Sequence, residues 1–144
     1  MKKTRFLPLI CPAVALILEA LPWGAVLNFG QPDGEPIRET YSYFSMMPFG
    51  YANFWPLITA VLSCALMILA LVTLARPRPR LLRMGGNLAA VATLTSIGSW
   101  VMFGFDYFTL ISGGITLILA VHTVLCIYMI KKTEVRENGI EKDL

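Results

Sequence analysis

The fold class predicted for this chain is an all-α membrane protein: a four-transmembrane-helix bundle with a short extracellular β-hairpin and aromatic loop after its first helix. Three observations predict it. Of 144 residues, 56% are hydrophobic and only 15% are charged, with a mean hydropathy of +0.66, which is too apolar for an ordinary soluble domain. Four apolar runs, near 6–27, 55–75, 84–105 and 110–130, approach the roughly 20 residues needed to cross about 30 Å of hydrocarbon. The bases flank those runs rather than form a patch: Lys2, Lys3 and Arg5 precede the first, Arg76, Arg78, Arg80 and Arg83 join the second to the third, and Lys131, Lys132, Arg136 and Lys142 follow the fourth.

Only Arg38 of the twelve bases lies elsewhere. By the positive-inside rule the expectation is a multi-pass protein of a bacterial cell (plasma) membrane, with both termini cytoplasmic and the loop 30–54 outside. The whole chain, 1–144, reads as a single membrane domain ending in a cytoplasmic tail, 131–144. The charge of +3 is accounted for by topology, so no nucleic-acid partner is expected. The expected partner is the lipid bilayer, with anionic headgroups near Arg76, Arg78, Arg80 and Arg83.

In the first span, Pro8 and Pro12 are tolerable near a helix start, whereas Pro22-Trp23-Gly24 should break the outer end. A signal peptide is the competing reading of this basic, apolar start. No small-x-small cleavage site follows Phe6 to Leu18, so an anchor is expected. Cys11, Cys64 and Cys126 all fall within spans, which predicts no disulfide framework.

The outer loop contains two β-capable runs around Pro32-Asp33-Gly34, predicting a hairpin. Ile37, Thr40, Tyr41, Tyr43 and Phe44 supply too much β-branched and aromatic material for a solvated linker, so a folded cap is expected. Residues 45–53 should lie on the membrane interface, with Tyr41, Tyr43, Phe44, Phe49 and Tyr51 as candidate contact residues. Ala75-Arg76-Pro77-Arg78-Pro79-Arg80 predicts a stiff, non-helical connector.

The third span carries small residues in helical register: Gly85, Ala89 and Thr93, and Ala92 and Ser96. The fourth carries Ser112, Thr116 and Ala120 beside Gly113-Gly114. Such stripes allow close packing, within the molecule or between copies. The segment 49–59 also resembles 103–112, which leaves open a duplicated helical hairpin or shared interface composition. The tail after Lys132 is short and charged and should fray.

Glu19 is the most unusual residue, because an ionisable group within a span is costly and normally faces a partner, a cavity or water. Counting the helical rise, it lies roughly 20 Å from the inner edge, level with Ser63, Thr95, Ser96, Ser99 and Thr116. His122, the only histidine, falls about 8 Å further in on the same count. The candidate intramembrane polar site is therefore Glu19, His122, Ser63, Thr93, Ser96 and Thr116. Glu19 and His122 could form a relay through water, or His122 could simply bond a neighbouring helix through Thr93. With no Cys-x-x-Cys, no second histidine, no phosphate loop and no serine-histidine-acid set, neither an enzyme nor a bound metal or cofactor is expected. The outer acids Asp33, Glu35, Glu39 and Asp106 read as solvated surface.

A carboxylate in the first of four helices, Glu19-Ala20, resembles the small multidrug resistance transporters, which implies proton exchange against cationic drugs. The long outer loop and proline-rich connector depart from that family. The outline of four helices with an outer sheet is similar to claudin-type proteins, although their cysteine pair and tryptophan signature are absent. Tyr41 to Ser45 and Pro48 to Asn53 resemble a loop of small four-helix bacterial integral membrane proteins, a likeness that implies no activity. Two functions follow as expectations: a structural or interaction module with a folded extracytoplasmic cap, binding a membrane or extracytoplasmic protein, or a small proton-coupled transporter or channel using Glu19.

Overall fold

The computed structural model describes residues 6–32 and 34–142, and their side chains except those of Leu7 and residues 133–142. Lys2, Lys3 and Arg5 of the first basic cluster, Asp33 of the expected turn, and the side chains of Arg136 and Lys142 thus lie outside the described residues. The chain is mostly helical: α1 (Leu7–Ala20), β1 (Ala25–Gln31), β2 (Gly34–Tyr41), α2 (Met46–Gly50), α3 (Trp55–Ala75), α4 (Pro79–Phe103), a 3-10 turn (Phe105–Tyr107) and α5 (Leu110–Lys142).

Three helices, α3, α4 and the Leu110–Lys132 part of α5, are long and apolar enough to cross a membrane. The first expected span, 6–27, needs correcting. Its helix has 14 residues, or about 21 Å, against about 30 Å of hydrocarbon. Leu21 leaves the helix in an extended conformation, as a residue before proline is driven to do. After Pro22-Trp23-Gly24 the chain enters β1, so the last residues of the apolar run are strand.

Two other boundaries differ from expectation. The connector after α3 is shorter than the prolines suggested, because Pro79 opens α4, where the missing N–H costs nothing and the ring presets φ. At the far end α5 does not stop near Ile130 but remains helical to Lys142.

α1 packs against α3 and α5, and α4 also packs against α3 and α5. Their shared core contains Ala15, Ala60, Leu66, Ala89, Ala92, Ile115 and Leu119. The small-residue stripe of α4 is buried at Gly85, Ala89, Ala92 and Ser96, so it serves packing within the molecule. The outward faces are apolar as well: Ile17, Val61, Ile68, Leu94, Leu117 and Val124 are each at least 60% exposed. In water such a surface would be an association site; against lipid it is the compatible one.

The expected hairpin forms, with Ala25 opposite Tyr41 and Phe29 opposite Ile37 before an irregularity ahead of the Gln31–Gly34 pair. Ala25, Val26 and Leu27 are buried, whereas Gly34 to Thr40 are exposed, so the hairpin is rooted at one end and projects at the other. Beyond it, α2 is a helix the sequence did not announce. Ser45 caps it, its Oγ accepting from the Met47 amide at 3.3 Å. In both segments of the suggested repeat, a short helical turn (α2, or Phe105–Tyr107) precedes a membrane-length helix.

Candidate functional site: a polar layer closed by Tyr43

Because α1 stops at Ala20, the outer end of the helical packing has room for part of the cap. Tyr43 fills it, with its side chain 1% exposed within the core. Its backbone N–H donates to the Glu19 carbonyl at 2.9 Å. That carbonyl is in the last turn of α1, where no helical amide remains to satisfy it. Gly24 N–H donates to the Tyr41 carbonyl at 3.1 Å, and a Cβ on Gly24 would stand 2.8 Å from the Tyr43 ring, so the approach needs glycine.

Glu19 is 0% exposed. Ser63 Oγ on α3 donates to Glu19 Oε1 at 2.6 Å, while Oε2 has no partner among the described residues. On the other side of the layer Ser96 on α4 meets Thr116 on α5 at 2.7 Å. The Thr116 hydroxyl donates to the Ser112 carbonyl at 2.9 Å. A hydroxyl has one proton, so Ser96 donates to Thr116 and its oxygen is left to accept. Glu19 is thus paired with Ser63 and Ser96 with Thr116, and Tyr43 is buried at the Glu19 end of α1.

Two further pairs flank the layer. Thr59 Oγ1 donates to Thr95 Oγ1 at 2.9 Å between α3 and α4. Asn53 Nδ2, just before α3, donates to Ser99 Oγ at 2.9 Å, and Asn53 N–H donates to the Pro48 carbonyl at 2.9 Å. Sequence reasoning missed Asn53; its signal was an amide isolated among aromatics at the mouth of a bundle.

His122 and Thr93 do not join this layer. Moving inward from Glu19, Ser63, Ser96 and Thr116, the next buried residues are Ala15, Leu66, Ala92 and Leu119, an apolar layer that separates His122 from Glu19. His122 Nε2 lies 3.5 Å from Cys126 Sγ on its own helix, and Nδ1 has no partner among the described residues. The alternative of a bond from His122 to Thr93 is not seen either: the His122 nitrogens do not reach Thr93, whose Oγ1 donates to the Ala89 carbonyl at 2.8 Å, as threonines in helices commonly do. His122 and Cys126 line a cavity of about 10 Å³ with Thr73, Leu66 and Gly85, close to the space of one water.

The expected contact residues divide. Tyr43 is buried and so is no surface residue. Phe44, Phe49 and Tyr51 are exposed, Tyr41 is half-buried and donates its hydroxyl to Glu39. Met46 and Met47, which belong to the segment expected on the membrane interface, are exposed beside them, as is Phe54. Edge-on pairs of Phe29 with Tyr51 and Phe49 with Phe54, both at 5.2 Å, tie these rings together. Against protein-family models, curated proteins and solved structures alike, the chain finds no match.

Proposed function

We propose that this chain is a multi-pass membrane protein that acts as an interaction module, presenting a rigid aromatic and methionine surface on its extracytoplasmic cap to another membrane-embedded protein. One observation carries this reading: the cap is fastened from within and apolar without. Tyr43 and Asn53 anchor it in the helical core, while Met46, Met47, Phe49, Tyr51 and Phe54 remain exposed. A preformed apolar surface loses little conformational entropy on binding, and aromatic and methionine side chains are those enriched in interface cores.

On this reading all four longer helices lie in the bilayer of a bacterial cell membrane, with α1 spanning together with the buried root of the hairpin. The connector arginines Arg76, Arg78 and Arg80 and the exposed Lys131 and Lys132 belong to the same end, because α3 and α5 run in the same direction. That end is cytoplasmic by the positive-inside rule, and the cap faces outward. A photocrosslinker replacing Tyr51 or Met46 in intact cells should capture one defined protein, and the same group at Glu35 on the hairpin should not. Recovery of lipid alone from Tyr51 and Met46 would overturn the reading.

A second reading, a small proton-coupled transporter or channel, is favoured by the unpartnered Oε2 of Glu19, which would be the proton-carrying atom. It requires Tyr43 to move, since Glu19 is sealed beneath it. Glu19→Gln in proteoliposomes should then abolish proton-driven flux of a cationic dye; unchanged flux would remove this reading.

A further inference from the structure

The hairpin and the start of α5 enclose an open groove of about 620 Å³, lined among others by Trp23, Arg38, Thr40, Phe108, Leu110 and Ile111. We propose that this groove is a docking site for one anionic phospholipid of the extracytoplasmic leaflet, its phosphodiester held by Arg38 and an acyl chain laid along Leu110 and Ile111.

Arg38 is the one base of the sequence outside the three clusters that flank the apolar runs. Its position is fixed by a long-range bond, Nη2 to the Phe108 carbonyl at 2.8 Å. A guanidinium carries five donors in a rigid fork, so this bond orients the side chain and still allows bidentate contact with phosphate. The charge of the groove is selective. Arg38 and Thr40 share one face of β2, and the two-residue period of a strand puts Glu35 and Glu39 on the other. Asp106 is outside the lining.

The chemistry changes along the groove in the way a lipid does. Arg38 and Thr40 are at the hairpin end. Leu110, 88% exposed, opens the apolar, membrane-length part of α5, and the lining residues Trp23 and Phe108 are of the aromatic kind that favours the headgroup boundary. A soluble phosphate would use the arginine but leave the aliphatic wall bare. The volume is in the range of small-molecule sites.

Native mass spectrometry of the full chain in detergent, titrated with phosphatidylglycerol or phosphatidylcholine, tests the proposal. Arg38→Gln should weaken phosphatidylglycerol binding on the order of five-fold, the worth of one interfacial base. Thr40→Glu, which keeps Arg38 and its bond to Phe108 but adds an anion to the groove, should do the same, while Glu39→Gln should not weaken binding. Circular dichroism identifies any variant that has lost its helices, and the remaining variant then decides. Unchanged phosphatidylglycerol affinity in folded Arg38→Gln and Thr40→Glu would overturn the proposal, as would phosphatidylcholine binding as tight and as sensitive to Arg38.

Discussion

The amide of Tyr43 donates to the carbonyl oxygen of Glu19 across 2.9 Å, while the Glu19 carboxyl receives Ser63 from α3. One residue at the end of a short helix therefore fastens both the cap above it and the helix beside it. The site depends on α1 being too short: four more residues of helix would occupy the space that Tyr43 fills. The cap is in this sense a replacement for the missing helical turns, and it brings a side chain into the shared core.

Tyr41 should titrate late. Its phenol is raised chiefly by its bond to Glu39. A raised folded-state value on a group that ionises to an anion favours the neutral form, so its contribution is complete below the unfolded value of about 10 and is lost as the pH rises through the folded one. Absorbance of tyrosinate should show one of the five tyrosines ionising at lower pH in Glu39→Gln than in the parent chain; an unshifted titration would mean that the Glu39 bond does not hold this phenol.

Ser63→Ala should destabilise the protein by about 1–3 kcal/mol, because it leaves both oxygens of a fully buried carboxyl without a partner. Removing the carboxyl as well should recover stability, since two apolar side chains of similar shape need no hydrogen bond. Thermal unfolding in detergent should therefore place Glu19→Met/Ser63→Ala above Ser63→Ala alone. A double variant that melts lower would mean that Glu19 has another partner in the folded state.

Part of the polar layer was legible because helical rise is regular: counting residues from the inner edge brought Glu19, Ser63, Thr95, Ser96, Ser99 and Thr116 to one depth, and in the structure Ser63 bonds Glu19 and Ser96 bonds Thr116. Apolar composition could not reveal where the first helix ends, since Leu21 to Leu27 is as hydrophobic as the helix before it; Pro22 carried that information locally. The inward turn of Tyr43 had no periodic signal, because residues 42–45 are neither strand nor helix. α2 was hidden for a related reason. Pro48 and Gly50 are poor helix formers, and the Ser45 cap and the burial of Pro48 override their propensities.

Ala52 holds a left-handed backbone, φ 67°, where the chain turns from α2 toward Asn53. A Cβ there costs about 1–2 kcal/mol, partly offset in glycine by greater freedom of the unfolded chain. Ala52→Gly should accordingly stabilise the cap by up to about 1 kcal/mol, read as slower amide exchange at Tyr51 and Asn53 with the membrane-length helices unaffected.

Gly98 is the point at which α4 receives the first residue of α3. A Cβ on Gly98 would stand 2.6 to 3.0 Å from atoms of the fused-ring edge of Trp55, and a fused ring cannot yield as the tip of a flexible chain would. The indole would have to turn away, opening the wall beside the Thr59–Thr95 pair. Gly98→Ala should then cost about 1–3 kcal/mol in thermal unfolding, the usual penalty for overpacking, despite the higher helix propensity of alanine. Adding Trp55→Leu should recover part of the loss by making room. If the double variant is no more stable than Gly98→Ala, the contact between these two residues is not what limits the approach of α3 to α4.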